Sequence, residues 1–348
     1  MITRHPLTPS LIYFTNFNSK STIKKMKFPE SKNPAVYVIH ENEEWMLPLR
    51  YAFEEQGIPY VEWFVHSGSV NLAAVPPKGV FYNRMSASSH TRDHRFAVEL
   101  SEPLLAWLQA HGRRVVNGRR ALQLEVRKFE QYLALQQFGV QTPQTIAASG
   151  REAILDAAAQ LDQVPFIVKP NRGGKGQGVQ LFNSVEELGQ TISTGEELSL
   201  DGIALVQQYV KPANGHITRM EFIDGEFFYA VEVDASEGFE LCPADACMVG
   251  DAFCPAPGFG ETAVAEKKKF RIAKNFDDRG LSGKLESFFK ANDIEVAAAE
   301  FVEDEEGNRL VYDLNMNTNY NQQAERDAGN GKRAMHRLAE FLGREAGF

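Results

Sequence analysis

Short apolar runs alternate with amphipathic stretches between residues 35 and 118. Continuous apolar residues predict strands at 35–40, 59–65, 79–83 and 114–117, and apolar positions at helical spacing predict helices at 43–56 and near 94–111. Strands that alternate with helices are typical of βαβ units. The pattern therefore predicts a small α/β sheet in this part of the chain.

From residue 119 onward the pattern becomes richer in paired strands. Strands are predicted on both sides of a glycine-rich hairpin within 165–182, at 204–210, 218–223 and 226–233, and in two last runs at 294–303 and 308–317. Helices are predicted at 122–138, 151–161, 282–292 and 332–342, with a short one that begins at Ser184. This arrangement predicts an α+β body of two antiparallel sheet layers over residues 119–348.

The first 34 residues differ from the rest of the chain in charge. Six basic residues face a single acid, Glu30, and there is no apolar core of a secretory signal. We expect residues 1–34 to be a basic, loosely held extension, and a docking or targeting role is the alternative. The basic residues are Arg4, Lys20, Lys24, Lys25, Lys27 and Lys32.

Composition and charge exclude several classes of protein. The 348 residues are 43% hydrophobic and 24% charged, which is typical of a globular protein with more than one domain. The net charge of −9 argues against bulk binding of nucleic acid, for which a basic domain is usual. No run approaches the roughly 20 apolar residues that cross a bilayer. We therefore expect neither nucleic acid nor membrane as a partner.

Three cysteines, Cys242, Cys247 and Cys254, lie within thirteen residues of one another. Their odd number implies no disulfide framework, and their spacing is not the CxxC pairing of a zinc site. Ordinary cysteines in a loop are the first interpretation, and a metal or redox role is the second. A reducing compartment, the cytoplasm, is expected.

The segment VKPNRGGKGQGV at 168–179 carries four glycines between two predicted strands. Glycines allow backbone amides to approach a phosphate without obstruction by Cβ atoms. The segment is neither a Walker A loop, which needs Ser or Thr after Gly-Lys, nor a dinucleotide fingerprint, which needs a following helix. A mobile phosphate-binding loop and a glycine-rich hairpin with surface lysines both remain open.

The last two predicted strands bring carboxylates together. If they pair as an antiparallel hairpin, Glu300 and Asp313 face one another, and Asn315 follows on the same side as Asp313. Two carboxylates and an amide oxygen suit Mg²⁺, which completes its coordination with waters and nucleotide phosphates. A solvated strand edge is the alternative, but a carboxylate inside the apolar VYDL run is costly without a partner or cation.

In this order, and about 130 residues apart, these two segments resemble the ATP-grasp superfamily, in particular its RimK-like branch. The resemblance covers roughly residues 115–320 and implies an ATP-grasp fold, with two antiparallel-sheet subdomains that clamp ATP, after an N-terminal α/β domain. The implied division is an N-terminal domain at 35–118, a central subdomain with a glycine-rich lid at 119–203, and a C-terminal subdomain with a metal site at 204–348.

The resemblance also implies roles for individual residues. Glu300, Asp313 and Asn315 match the family's Mg²⁺ ligands, and Arg219 and Arg271 match arginines that neutralise the transferred phosphoryl group. The run LVQQYV resembles the family's hinge, the strand that contacts adenine, and it has Gln207-Gln208 where the family often has an acid. An asparagine-rich stretch at 315–321 replaces the usual Asn-x-x-Pro-Gly. The implied nucleotide-binding residues are Lys128, Lys169, Gly173, Gly174, Lys175, Gly176, Gly178, Gln207, Gln208, Tyr209 and Val210.

The activity that the resemblance implies is ATP-dependent ligation that forms a C–N bond. A carboxylate attacks the γ-phosphoryl group to give an acyl phosphate and ADP, and an amine then displaces phosphate to form an amide or peptide bond. The implied cofactors are ATP and Mg²⁺, as two ions with Mn²⁺ as an alternative. The implied substrates are small-molecule or peptide carboxylates and amines, and a homo-oligomer is left open. A kinase-like phosphotransferase and a nucleotide-binding sensor without ligation are the two other readings.

Overall fold

The computed structural model describes residues 35–174, 176–192, 198–235, 269–274, 276–329 and 331–348. The basic extension, Lys175 of the glycine-rich segment and the three cysteines lie outside these described residues. Within them, no helix is both long enough and apolar enough to cross a bilayer.

The first sheet is parallel, as the alternation of strands and helices predicts. Its four strands lie in the order β2-β1-β3-β4, and β1 and β3 are buried along their whole length, as strands covered on both faces are. Its strands are β1 (Val36–His40), β2 (Tyr60–Phe64), β3 (Val80–Asn83) and β4 (Arg114–Val116), and its helices are α1 (Glu43–Gln56) and α2 (Ala97–Ala110).

Helix α1 shows why the sequence begins and ends an element where it does. The side chain of Asn42 accepts a hydrogen bond from the backbone N–H of Trp45 at 3.1 Å, which satisfies an otherwise unpaired donor of the first turn. Gly57 ends the helix in the left-handed region, at φ 66°, where a side chain would be strained.

The middle sheet is antiparallel and has the strand order β5-β8-β6-β7. The strand that begins at Ala204 pairs with both β5 and β6, so it lies inside this sheet. The predicted boundary at residue 203 wrongly separates it from them, because neighbours in sequence do not decide which sheet a strand joins. The elements are β5 (Thr145–Ala148), β6 (Phe166–Pro170), β7 (Gln180–Phe182), β8 (Ala204–Gln208), α5 (Arg151–Leu161) and α6 (Val185–Thr191).

The third sheet is also antiparallel, with the order β11-β10-β9-β12-β13. The prediction of two antiparallel layers after residue 119 is therefore confirmed, and the fold combines an α/β sheet with an α+β body. The elements are β9 (His216–Ile223), β10 (Glu226–Asp234), β11 (Phe270–Ile272), β12 (Val296–Glu303), β13 (Arg309–Asn315) and α7 (Arg279–Ala291).

One helix predicted as a single element is divided in the structure. The segment predicted at 122–138 forms α3 (Arg119–Glu125) and α4 (Lys128–Gln137), because Arg127 has an extended backbone at φ −139°. Near the C-terminal end, α9 (Ala334–Ala346) corresponds to the helix predicted at 332–342, and α8 (Gln322–Ala328) is a further helix before it that was not predicted. The division at Arg127 places Lys128 at the start of a helix, where its backbone N–H donates to the carbonyl of Asn171 at 3.2 Å.

The three sheets do not share their cores equally. Buried residues of the first and third sheets belong to one hydrophobic cluster with α1 and α9. The middle sheet packs with α5 and α6 in a separate cluster. A deep cleft opens where the middle sheet meets the third sheet and the loop after β3.

Candidate functional site

The cleft gathers most of the residues that the sequence predicts to be functional. It contains about 1420 Å³ of empty space when its open mouth is included. The predicted residues that line it are Lys128, Lys169, Gly173, Gly174, Gly176, Gln207, Gln208, Tyr209, Val210, Arg219, Glu300, Asp313 and Asn315.

Two carboxylates and an amide meet on the floor of the cleft. Glu300 of β12 is directly opposite Asp313 of β13 in the antiparallel ladder, and the ladder becomes irregular immediately after Glu300. The amide nitrogen of Asn315 lies 3.3 Å from Oε1 of Glu300 and 3.5 Å from Oδ2 of Asp313. The predicted cross-strand arrangement of these three side chains is thus present.

Lys128 and Asp313 form an ion pair at this floor. The ammonium of Lys128 is buried, which disfavours its charge, but the nearby Asp313 carboxylate and Tyr132 outweigh that cost and raise the pKa of Lys128. Lys128 therefore remains a cation in a site where little water reaches it.

Lys169 projects from β6 into the same region, and no carboxylate of the described residues forms an ion pair with it. Its Nζ donates to the backbone carbonyl of Tyr312 at 3.3 Å and lies 5.3 Å from the centre of the Tyr132 ring. Burial, and then repulsion by the charge of Lys128, lower the pKa of Lys169 from 10.5 to about 7. An added anion beside Lys169 would favour its charged form, so the site is suited to a negatively charged ligand.

Arg219 forms the centre of a buried network on β9. Its guanidinium donates to Oε1 of Glu221 at 2.7 Å, to Oε1 of Glu300 at 2.5 Å and to the hydroxyl of Thr318 at 2.7 Å. The Thr318 hydroxyl in turn donates to Oε2 of Glu221 at 2.8 Å. Burial raises the pKa of Glu300, although Arg219 opposes that shift. The network holds Arg219 and Glu300 in one orientation.

The glycine-rich segment closes over the cleft from the middle sheet. A Cβ atom on Gly173 would come within 2.8 Å of Pro170, and one on Gly174 would come within 3.2 Å of Ser88 in the loop after β3. Gly176 and Gly178 have φ values of 65° and 74°, which favour glycine. Gly178 is the one described glycine of the predicted set that does not line the cleft.

The segment is also tied to the first sheet by charge. Arg172 donates to both carboxylate oxygens of Glu99 on α2, at 2.6 Å and 3.3 Å. In the described structure the segment is therefore closed against the N-terminal part of the chain. This contact joins two regions that the sequence separates by 73 residues.

The predicted hinge follows β8 along an apolar wall. The side chain of Gln207 donates to the hydroxyl of Thr145 at 2.7 Å, and the backbone N–H of Gln208 donates to the carbonyl of Gln144 at 2.9 Å. That N–H is used within the sheet, and Tyr209 and Val210 follow Gln208 along the cleft lining. Nearby apolar side chains in the lining are those of Ile167, Ile217, Val302 and Tyr312.

Among the predicted site residues that the structure describes, Arg271 has a side chain that projects away from the cleft. On β10 and β11, Val231 pairs with Ile272, and Glu232 pairs with Arg271. Because side chains alternate along a strand, Arg271 projects to the opposite face from Ile272 and from Arg219, which pairs with Val231. The Arg271 side chain is 62% exposed and binds Glu232. The loose match of this position to the family pattern did not determine its face.

The opposite wall of the cleft consists of residues outside the predicted set of catalytic, nucleotide-binding and metal residues. That wall contains Glu125, whose carboxylate accepts backbone hydrogen bonds from Met316 at 2.8 Å and Ala87 at 3.3 Å. Burial raises the pKa of Glu125 to about 7. The polar loop after β3 was a usable signal, since it follows the carboxyl end of a parallel strand. The other lining residues there are Trp45, Ser86, Ser88, Asn317 and Asn319.

The donor set on the floor fits Mg²⁺ in chemistry. It offers two carboxylates and an amide, and the buried carboxylates already have cationic neighbours, which shows that positive charge is favoured there. Among the described residues, no group of three His, Cys, Asp or Glu side chains is placed to hold a metal. Such a site would therefore depend on an oxygen-rich ligand, such as a triphosphate, for the rest of the coordination.

Comparison with known proteins agrees with this geometry. Residues 126–240 match the family model of the RimK-like ATP-grasp domain, so the resemblance seen in the sequence is confirmed for that segment. No curated protein sequence matches the chain significantly.

Solved structures confirm the ATP-grasp fold. The VanG D-Ala:D-Ser ligase from Enterococcus faecalis is 12% identical, with a TM-score of 0.62 over 90% of this chain and 100% of that one. The D-cycloserine synthetase DcsG is 15% identical, with a TM-score of 0.60 over 90% and 100% of the two chains. The ATP-grasp ligase PsnB, solved with a minimal precursor, Mg and ADP, is 14% identical, with a TM-score of 0.59 over 91% and 99%.

Proposed function

From the RimK-like ATP-grasp domain at residues 126–240, we propose that this protein is an ATP- and Mg²⁺-dependent ligase that joins a carboxylate to an amine. The observation that carries the proposal is the convergence of three cations, Lys128, Lys169 and Arg219, with Glu300 and Asp313 in one cleft. Cations of this kind neutralise a triphosphate, and the carboxylates suit its metal ions.

The cleft has an end suited to each part of ATP. The apolar wall along the hinge would hold the adenine, with Tyr209 and Val210 at its backbone edge. Lys128 and Lys169 would contact the phosphates, and the glycines at 173–178 would cover them. The lowered pKa of Lys169 supports this placement, because a bound phosphate would offset the unfavourable burial of its charge.

Glu300, Asp313 and Asn315 are the residues that would hold Mg²⁺. When bound there, the metal would supply positive charge to the phosphate oxygens. The amide of Asn315 would turn its oxygen toward the ion, and Lys128 would be released from Asp313 toward the phosphates. We propose two metal ions at this site, with Mn²⁺ as an alternative to Mg²⁺.

In the proposed reaction a carboxylate oxygen attacks the γ-phosphorus and ADP leaves, which gives an acyl phosphate. The amine nitrogen then attacks the acyl carbon, loses a proton and displaces phosphate. Arg219 is held at the floor by Glu221 and Glu300 and would offset the charge on the transferred group. The closed glycine-rich segment would exclude water, which would otherwise hydrolyse the acyl phosphate.

The structural neighbours suggest the class of substrate. One is named as a D-Ala:D-Ser ligase, and PsnB is also solved with the precursor peptide PsnA2, so we propose amino acids or peptides as the carboxylate and the amine. A screen of phosphate release with ATP, Mg²⁺, amino acids and dipeptides tests this directly. Release that requires both a carboxylate and an amine, with an amide product, would support ligation.

Other outcomes of the same screen would replace the proposal. A phosphorylated product that persists beside amines would indicate a kinase-like phosphotransferase. Saturable ATP binding without turnover on any tested pair would indicate a nucleotide sensor. Mass spectrometry of the products separates these outcomes, because an amide, an acyl phosphate and unchanged substrate differ in mass.

A further inference from the structure

Arg84 lies behind the wall of the cleft and holds two asparagines of the segment after β13. Its side chain is buried, and its guanidinium donates to Oδ1 of Asn317 at 3.2 Å and to Oδ1 of Asn319 at 2.8 Å. Its other contacts are to the backbone carbonyls of Trp45 at 3.0 Å and Thr318 at 3.3 Å and to Sδ of Met46 at 3.8 Å. Because arginine has only donors, the asparagine atoms that face it are oxygens. The orientation of both carboxamides is therefore determined.

This orientation leaves the amide nitrogens on the side away from Arg84. Asn317 and Asn319 line the cleft, whereas Arg84 does not. The side-chain hydrogen bonds that the described residues make to these two carboxamides end on Oδ1. We infer that Asn317 and Asn319 present their Nδ2 donors to the cleft as a pair and bind the carboxylate substrate, with Arg84 as the positioning residue.

The chemistry of the pair selects a carboxylate over an amine. Two N–H donors bind the oxygens of an anion, and an ammonium group, which itself has only donors, finds no acceptor in them. The pair also lies beside the proposed phosphate site, because Thr318, between the two asparagines, accepts a hydrogen bond from Arg219 at 2.7 Å.

The inference rests on the proposed ligation and adds a role within it. One oxygen of the carboxylate attacks the γ-phosphorus, and the other stays on the asparagine donors and becomes the carbonyl oxygen of the acyl phosphate. When the amine attacks, that oxygen carries the negative charge until phosphate leaves. Donors fixed in advance by a buried arginine stabilise such a charge without reorganisation.

Substitution by aspartate separates this role from folding. Asn317→Asp and Asn319→Asp keep an oxygen for Arg84 and nearly the same shape, but they replace the cleft-facing donor with an acceptor. The control for the added charge is Asn292→Asp, since Oδ1 of Asn292 accepts from Nε of Arg120 at 2.9 Å outside the cleft lining, with Nδ2 donating to the carbonyl of Phe288 at 2.8 Å. All three variants add one negative charge beside an arginine.

The kinetic test uses the amino acid that supports the fastest phosphate release in the unmodified protein. We expect kcat/KM for that amino acid to fall about ten- to hundredfold in Asn317→Asp and in Asn319→Asp, because each loses a hydrogen bond to an anion. The KM for ATP should change little, and Asn292→Asp should match the unmodified protein. Unchanged kcat/KM for the amino acid in both variants would overturn the inference.

A second measurement does not need turnover. Acetate serves as a minimal carboxylate probe and is titrated into ¹⁵N-labelled protein in the presence of Mg²⁺ and a non-hydrolysable ATP analogue. The side-chain NH₂ signals of Asn317 and Asn319, assigned by their loss in the aspartate variants, should shift saturably, and that of Asn292 should not. Absence of these shifts would overturn the donor pair even if ligation is observed. Shifts without any ligation would retain the carboxylate site and reject the proposed function.

Discussion

The ammonium group of Lys128 binds the carboxylate of Asp313 across 185 residues of sequence. The first residue opens α4 and the second lies in β13, so the contact joins the helix that precedes the middle sheet to the floor of the third sheet. In the proposed function one member binds phosphate and the other binds metal. Without ligands, Lys128 and Asp313 neutralise one another. In the proposed complex, phosphate would neutralise Lys128 and the metal would neutralise Asp313.

Asp313→Asn tests the carboxylate of this pair. An amide oxygen can still accept a hydrogen bond from Lys128, so the fold should persist, but the negative charge offered to Mg²⁺ is lost. We expect turnover to fall at least about 100-fold, comparable to the removal of an electrostatic contact to a reacting group. Steady-state phosphate release over a Mg²⁺ series measures it. Asp304→Asn in an exposed turn is the control, and equal rates in both variants would exclude Asp313 as a metal ligand.

The ion pair between Arg172 and Glu99 should hold the glycine-rich segment closed. Glu99→Gln removes a bidentate contact whose carboxylate is partly exposed, so we expect a cost of about 1 kcal/mol in closure. The measurable result is more ADP formed per amide, because water reaches the acyl phosphate more often.

Two further variants make this test specific. Reversing both charges, with Glu99→Arg and Arg172→Glu together, should restore much of the amide yield per ADP that either single change lowers. Arg95→Gln is the control, because it removes the other partner of Glu99, at 3.2 Å, without touching the glycine-rich segment. An unchanged ratio of ADP to amide in Glu99→Gln would contradict the proposal that this ion pair holds the glycine-rich segment closed.

Arg271 should contribute little to turnover despite its match to the family pattern. Its side chain faces away from the cleft and binds Glu232 near the surface. We expect Arg271→Ala to leave kcat close to that of the unmodified protein, whereas Arg219→Lys should remove activity by breaking the buried fork to Glu221 and Glu300. A large loss in Arg271→Ala would show that β11 presents its other face during the reaction.

Lys169 should make stability depend on pH in a defined window. Its pKa is lowered from 10.5 to about 7 in the folded chain, so between these pH values the unfolded chain holds a proton that the folded chain has released. Stability from this group therefore rises with pH across the window, and the full cost of burying the charge is present below pH 7.

The variant Lys169→Met removes that cost. In urea unfolding of the ligand-free protein, we expect the gain of the variant over the unmodified protein to be largest near pH 6 and to shrink toward pH 9, by about 1.4 kcal/mol per pH unit within the window. Lys290→Met, at an exposed position on α7, is the control. A gain that does not change with pH would contradict the lowered pKa.

Local sequence patterns predicted the parts of the site that lie on regular strands. Alternation along β12 and β13 placed Glu300 opposite Asp313 and put Asn315 beside them, because antiparallel pairing converts sequence order into geometry. Lys169 lies directly after an apolar run and before a proline, an unusual place for an exposed lysine.

Contacts between distant segments could not be predicted in this way. Arg84 reads as a polar loop residue, and its partners Asn317 and Asn319 lie more than 230 residues later. Nothing in the helical pattern around Glu125 shows that its carboxylate reaches the backbone of Met316, 191 residues away. The membership of β8 in the middle sheet and the face of Arg271 depend likewise on which strands meet in three dimensions.

The separate core of the middle sheet leaves its packing independent of the buried side chains that join the other two sheets. The first and third sheets are joined by one continuous cluster of buried side chains, so the strands that carry Arg219, Glu300 and Asp313 pack as one unit with the first sheet. The middle sheet, which carries Lys169 and the glycines, has its own cluster, so it would rotate as a separate unit if the cleft opened. Such a movement would take Lys169 away from Glu300 and Asp313 without changing the geometry of these two carboxylates.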